Sequence, residues 1–277
     1  GPGTQSQFAV LNPDGGARFA TTAYAGYTGG VRIASGDVTG DGIDDIITAT
    51  ATGAPPHIKV FDGATGAEIQ SFFAFDQTYL GGVFVAAGDV TGDGRADIIV
   101  STATATSHVK VFDARGGALV RSFFAFPGFT GGVTVAAGDV NGDHIADIIT
   151  GTATGSSHVK AFNGATLAEI ASFFAFAPQF AGGITVGVAG NSIVAGATNG
   201  PAHVKTFDTS GNTRLSFFAF APGFLGGVRV SGNGNTLLAG AGLGASPHLK
   251  GYDATTGAEV ISQLVFDPAS IGGIFVG

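Results

Sequence analysis

The dipeptide Gly-Gly followed by Val or Ile recurs at Gly29, Gly81, Gly131, Gly182, Gly226 and Gly272, at spacings of 52, 50, 51, 44 and 46 residues. A unit that returns at such a period must fold once and then pack against copies of itself. The copies starting at Gly81 and Gly131 read GGVFVAAGDVTGDGRADIIVSTATATSHVKVFD and GGVTVAAGDVNGDHIADIITGTATGSSHVKAFN, and they differ mainly at loop positions. Each copy holds four short β-branched or aromatic segments bounded by Gly, Asp, Asn or Pro. In the third copy these are Val133–Ala137, Asp147–Thr152, His158–Phe162 and Glu169–Phe176. A repeated four-stranded unit of ~40–50 residues predicts a β-propeller blade. Solenoid units are usually shorter and carry fewer strands.

Composition agrees with an all-β chain. Of 277 residues 48 are Gly, yet 44% are hydrophobic, so the chain has apolar area for a core and is no flexible linker. Charged residues make up only 12%, about half the usual ~25%. A net charge of −8 argues against a nucleic-acid partner. Without cysteine there is no disulfide, thiol nucleophile or thiolate metal site. No apolar run is long enough for a membrane helix, so no membrane insertion is expected. The chain has no Met and opens on Gly1-Pro2, which reads as a protease-cleavage scar on a fragment of a longer protein.

The ends suggest ring closure within a single domain spanning residues 1–277. Residues 7–28 match the second half of a repeat and residues 272–277 match its first few positions. Five full copies plus this split pair predict six blades of four antiparallel strands, one closed by both termini, an arrangement that leaves no exposed sheet edge. Neither end supplies an obvious second strand for the split blade. Either that blade has three strands or the ring is larger; six blades is the preferred reading.

Three copies place an aspartate-rich loop between their first and second strands: DVTGDGIDD (Asp37–Asp45), DVTGDGRAD (Asp89–Asp97) and DVNGDHIAD (Asp139–Asp147). These 27 positions hold ten of the twenty acidic residues. Carboxylates gathered by one tight loop repel unless a cation lies between them, and oxygen-only donors on an irregular loop favour calcium. The inferred ligands are the side chains at positions 1, 3, 5 and 9 and the carbonyl at position 7. They are Asp37, Thr39, Asp41, Ile43 and Asp45; then Asp89, Thr91, Asp93, Arg95 and Asp97; then Asp139, Asn141, Asp143, Ile145 and Asp147. About three Ca²⁺ per chain are expected, stiffening the loops rather than doing chemistry. Position 6, where the chain turns sharply, is Gly42, Gly94 and His144, which predicts an intact but less relaxed third loop. The twelfth position is Thr48, Val100 or Thr150, so these are not EF-hands. Plain Asp- and Gly-rich turns are the bland alternative. Copies four and five have lost the loop, which explains most of their shorter spacing.

The pattern G-x-V-A-A-G-D-x-N-G-D-G-x-x-D, followed by an apolar strand and a small-residue turn, resembles the FG-GAP repeat, the blade of integrin α-subunit propellers and of VCBS-like bacterial extracellular proteins. The resemblance covers nearly the whole chain, and the aspartate loop is its specific part. It implies that the first strand of each blade lines the axis. It also implies calcium in the first hairpin loop, on the face opposite the usual ligand-binding one. The chain departs at the name-giving motifs: Gly131-Gly132 stands where Phe-Gly is expected, and Gly151-Thr152-Ala153 where Gly-Ala-Pro is expected. That suggests a bacterial subgroup and gives no ground for an integrin-like ligand.

Other motifs repeat in register. All five lysines sit in His-apolar-Lys triplets, His57/Lys59, His108/Lys110, His158/Lys160, His203/Lys205 and His248/Lys250. Residues i and i+2 of a strand share a face, so each pair points one way. One reading is a cationic ring for an anionic ligand. The favoured one has His bonded to a neighbouring blade's backbone, with the Lys stem laid along the sheet. Ser-Phe-Phe-Ala-Phe at Ser71, Ser122, Ser172 and Ser216 is read as packing between sheets. Tyr27, Tyr79, Phe129, Phe180 and Phe224 each stand two residues before Gly-Gly. They either form an aromatic rim that stacks on sugars or a protein, or plug gaps between blades. The position after Gly-Gly-Val/Ile varies (Arg32, Phe84, Thr134, Thr185, Arg229, Phe275) and is where individuality is expected. No nucleophile elbow or His-Glu-x-x-His motif occurs, and no enzyme is expected. The reading is a monomeric, calcium-stabilised, extracellular or cell-surface binding or adhesion module with a protein or glycan ligand. A structural scaffold or spacer, natural or engineered, and a lectin are the alternatives.

Overall fold

The computed structural model of the chain describes residues 6–11, 17–221 and 223–277. Gly1 and Pro2, read above as a cleavage scar, lie outside them. Two strands come first, β1 (Ser6–Leu11) and β2 (Ala17–Tyr24), paired only with each other. Five four-stranded antiparallel sheets follow, each a meander in chain order. The first is β3 (Val31–Gly36), β4 (Asp45–Thr50), β5 (His57–Phe61) and β6 (Glu68–Phe73). The second is β7 (Val83–Gly88), β8 (Asp97–Thr102), β9 (His108–Phe112) and β10 (Leu119–Phe124). The third is β11 (Val133–Gly138), β12 (Asp147–Thr152), β13 (His158–Phe162) and β14 (Glu169–Phe174). The fourth is β15 (Ile184–Ala189), β16 (Ser192–Ala197), β17 (His203–Phe207) and β18 (Thr213–Phe218). The fifth is β19 (Val228–Asn233), β20 (Thr236–Ala241), β21 (His248–Asp253) and β22 (Glu259–Leu264). The first strand of each sheet packs on the first strand of the next, from β3 through β7, β11 and β15 to β19, so these strands line the axis.

The core is distributed over the seams between adjacent sheets. Second strands lie between two strands of their own sheet and between two neighbouring sheets, so all six residues of β4, β8, β12 and β16 are buried. This is why their sequences read as continuous apolar or small runs rather than alternating ones. One cluster joins Ile47, Ile58 and Val60 to Val83, Ile98 and Phe112 of the next sheet, and equivalent clusters fill the following three seams. Each fully buried Ile contributes ~1.5–3 kcal/mol relative to exposure. The seams demand small backbones where sheets meet: Gly132 has φ +74°, and a Cβ there would strike the Ala103 carbonyl of the preceding sheet.

The expected sixth blade is overturned. The structure shows five four-stranded blades plus the two-stranded β1–β2 sheet, not six closed blades. Residues 272–277 do lie between the last and first blades. Ile274 is buried and donates its N–H to the Ala241 carbonyl (3.0 Å), and Gly277 abuts Ile33 and Ala34. The segment pairs with no strand, however, and β1 pairs on one edge only. Strand structure is a property of the ladder, and among the described residues nothing sits between these two edges to complete one. Within the five blades the expected third-copy strands agree with β11–β14, except that the first runs on to Gly138 and the last ends at Phe174.

Candidate metal centre

The acidic loops join first to second strands in three consecutive blades. Their local order comes from two carboxylates. Asp37 at position 1 accepts the N–H groups of Gly40 (2.6 Å) and Asp41 (3.1 Å) on one oxygen and that of Gly42 (2.8 Å) on the other. Asp89 and Asp139 repeat this to within 0.1 Å. Partial burial opposes ionisation of Asp37, yet the N–H groups of Gly42, Gly40 and Asp41 hold its carboxyl below the usual range. Position 9 is sealed inside: Asp45, Asp97 and Asp147 are at most 2% exposed. Asp45 accepts from Val38 (3.0 Å) and Thr39 (2.9 Å) on one oxygen and from Gly63 of the next hairpin (2.9 Å) on the other. Burial pushes the Asp97 carboxyl up to about 6 against its hydrogen bonds, and pushes Asp147 up likewise.

The third loop draws two of its acidic side chains together. The Asn141 amide nitrogen donates to Asp143 and to Asp147, 3.0 Å each, so the carboxylates of positions 5 and 9 converge on one positively polarised atom. Thr39 and Thr91 offer only a hydroxyl at this place. Among the described residues no three acidic or histidine side chains close on a single point. The structure therefore brings positions 5 and 9 together in the third loop and turns position 1 onto its own loop's amides. Asp93 faces an exposed partner, Arg115, at 3.3 Å. Position 6 takes the left-handed turn in all three loops, with φ +85° at Gly42, +84° at Gly94 and 67° at His144. The donor set, oxygen throughout with one sealed carboxylate per loop, suits a hard divalent ion. Where the loop is lost, β15–β16 and β19–β20 close in two-residue hairpins at Gly190-Asn191 and Gly234-Asn235.

The loops are also tied to each other. Asp37 accepts the Ala96 N–H and Asp89 the Ala146 N–H on their backbone carbonyls, 2.8 Å each. Position 7 of one loop leans on position 4 of the loop before it: the Arg95 guanidinium covers Gly40 and Ile145 covers Gly92.

The His-apolar-Lys pairs are seam fittings whose partners differ from the expected ones. Each His Nε2 meets the serine of its own blade's outer strand (Ser71, Ser122, Ser172, Ser216 or Ser262) at 2.8–2.9 Å, not a neighbour's backbone. Its ring stacks on Phe73, Phe124, Phe174 or Phe218 of the same blade. From His108 onward it also meets the last Phe of the preceding blade's Ser-Phe-Phe-Ala-Phe. It is lysine that crosses seams: Lys110 and Lys205 donate to the preceding blade's Ala74 and Ala175 carbonyls. Lys59, Lys160 and Lys250 instead pair with Glu68, Glu169 and Glu259 at 2.6–2.7 Å. With these partners the ammonium groups do not form an open cationic ring. The glutamates went unread in the sequence, although each stands nine residues after its lysine.

Tyr27, Tyr79, Phe129, Phe180 and Phe224 are half-buried and folded over their own linkers. Each ring lies where a Cβ on the first glycine of Gly-Gly would stand. Tyr79 donates to the Thr104 and Gly82 carbonyls at 3.0 Å. Each packs, partly buried, against one of the buried clusters. The variable axial position is interlocked too. Arg32 lies 3.7 Å over Phe84 and Arg229 lies 4.3 Å over Phe275, while Thr134 and Thr185 donate to the next blade's Ile184 and Val228 carbonyls. Burial lowers both guanidinium pKa values to about 10.

The geometry stands beside three comparisons. A model of the FG-GAP-like repeat matches residues 89–150, which run from the first aspartate of the second loop into the second strand of the third blade. No curated protein matches the chain. Among solved structures it is similar in fold to the computationally designed Ika8 protein, with a TM-score of 0.51 and 18% identity. That match covers 91% of this chain and 65% of Ika8, so the chain spans somewhat under two thirds of that protein's length. The chain is thus a β-propeller of four-stranded blades that carries an FG-GAP-like repeat over residues 89–150.

Proposed function

We propose that the protein is a calcium-stabilised, non-catalytic binding or adhesion module that works outside the cell, where millimolar calcium fills weak sites. The observation that supports this is the convergence of the Asp143 and Asp147 carboxylates on one donor atom in a loop that recurs in two neighbouring blades. A Ca²⁺ there takes oxygens from positions 3, 5 and 9 and the position-7 carbonyl. Binding three divalent ions moves the formal charge from −8 to −2 and relieves repulsion among the loops. Isothermal titration of chelator-treated protein tests it. About three ions per chain should bind, and melting should rise with calcium by mass action. Unchanged melting between excess chelator and saturating calcium would refute it.

A scaffold reading has one observation in its favour. The aromatics that offered a recognition surface fold over their own linkers, and the lysines are paired with glutamates of their own blade or with carbonyls of the preceding one. The same observation weighs against a lectin built on Tyr27, Tyr79, Phe129, Phe180 and Phe224. A glycan array with binding lost on Tyr79→Ala would restore that reading.

A further inference from the structure

The variable second residue of each first strand lies at the end of the axis opposite the acidic loops. Arg32, Phe84, Thr134, Thr185 and Arg229 each stand across from the fifth residue of the adjoining second strand. Phe275 follows its Gly-Gly-Ile at the same place in the sequence. The acidic loops begin where these strands end, as at Gly36 and Asp37, about 15 Å further along the strand. The two cations of this ring are therefore remote from the loop carboxylates.

Both guanidiniums are held in place but not neutralised. Arg32 donates to the Val83 carbonyl at 2.9 Å, over the Phe84 ring, and Arg229 reaches the Ile274 carbonyl at 3.4 Å, over the Phe275 ring. Phe275 also lies 5.7 Å from Arg32, so both cations share one ring. Among the described residues neither pairs with a carboxylate, and the buried Arg32 Nε has no hydrogen-bond partner. Asp76 and Asp267, on the linkers at this end, accept instead from the N–H groups of Thr78 and Ala269 on those same linkers. Two like charges brought together in a partly dehydrated place oppose each other: burial, and then the charge of Arg229, lower the Arg32 pKa. Both residues are only half-buried, so solution reaches part of each.

We propose that Arg32 and Arg229 form a binding site for one oxyanion group, a carboxylate, sulfate or phosphate, bridged between them at the mouth of the axis. A guanidinium carries five N–H donors, and the carbonyl bonds above engage one on each. Stacking on Phe84 and Phe275 occupies the faces of the guanidinium planes and leaves their N–H edges, which match paired oxygens in a fork. The rings also fix both side chains beforehand, so little rotamer freedom is lost when the anion arrives. One anion relieves two uncompensated charges at once, in surroundings that strengthen the attraction. Thr134 and Thr185 of the same ring donate to blade carbonyls, which leaves recognition to the two arginines. The site gives the binding reading above a ligand chemistry and is independent of the metal loops.

The test uses the whole isotope-labelled chain in calcium-containing buffer, with chloride adjusted to keep ionic strength constant. In NMR titration, sulfate should move the Nε–H signals of Arg32 and Arg229 along one saturable curve and leave those of Arg115 and Arg121 in place. Arg32→Gln and Arg229→Gln should each weaken sulfate binding about tenfold or more. If a variant does not fold, the backbone amides of Arg32, Arg229 and Phe275 in the parent chain must follow that curve instead. Acetate and the peptide acetyl-Ala-Asp-Ala-amide separate two sources of the group. Peptide binding about tenfold or more tighter than acetate assigns it to a partner's acidic side chain, and comparable or weaker binding assigns it to a free small anion. No saturable shift with any of the three probes overturns the proposal, as does unchanged affinity in both Gln variants. Calcium binding is read separately at the loops, so failure here leaves the metal reading standing, and the converse holds.

Discussion

Replacing Asp45 by Ala removes an acceptor that three backbone N–H groups share. Val38 and Gly63 are buried and Thr39 half-buried, so water replaces the carboxylate poorly. Leaving a buried donor unsatisfied costs ~1–3 kcal/mol, and bonds to a charged acceptor lie toward the upper end. Two fully buried donors and one partly buried one therefore predict a loss of about 3–5 kcal/mol with chelator present. For a chain of this length that lowers the melting temperature by roughly 6–10 °C. Urea titration of parent and variant in chelator measures the structural part alone. Repeating both in saturating calcium adds the loss of a metal ligand, so the gap should widen. Asp45→Asn keeps one acceptor oxygen and should fall between the two. A chelator-state loss below about 1 kcal/mol would refute the view that position 9 holds the loop together before any ion arrives.

Further expectations concern single positions. His144→Gly relieves a left-handed backbone at a non-glycine residue and should stabilise the third loop by about 0.5–1 kcal/mol, read by urea denaturation; a loss would show that the ring contributes more than the strain costs. Gly132→Ala drives a Cβ onto the Ala103 carbonyl and should cost more than about 3 kcal/mol or abolish folding. The seam histidines His57, His108, His158, His203 and His248 have pKa values lowered by burial, then by the neighbouring lysine. Because the unfolded chain takes up these protons first, their contribution is complete above about pH 6.5 and is lost as pH falls toward the folded values. NMR titration should place all five rings below about 6.5, and any ring titrating at or above that value contradicts the burial argument.

Blade composition was legible because a four-strand unit writes its strands, turns and loops into every copy, and five readings of one pattern fix it better than one. Ring closure was not. Residues 272–277 and Gln7–Leu11 carry the right side chains for a first and a third strand. Whether they join one sheet with each other depends on a partner between them, which no side-chain pattern supplies. The histidines illustrate a similar limit: period two told which face they share with lysine, but the partner serine lies 13 or 14 residues on and is set by strand register. The aromatics before Gly-Gly were read as a rim or as plugs, and the missing Cβ of the first glycine leaves room for each ring to fold over its own linker. In the candidate metal loops, spacing alone singled out the aspartates. It did not show that position 1 would spend its oxygens on its own loop while position 9 would be sealed.

The carbonyl of Asp37 rests on Ala96, and that of Asp89 on Ala146. Arg95 and Ile145 in turn cover Gly40 and Gly92 of the tip before them, so the three tips form one row of mutual supports with Asp89–Asp97 in the middle. Each support is shared equally by its two partners. A lesion in the middle tip should accordingly speed amide exchange on both sides of it, whereas a lesion at either end reaches the far tip only through the middle one.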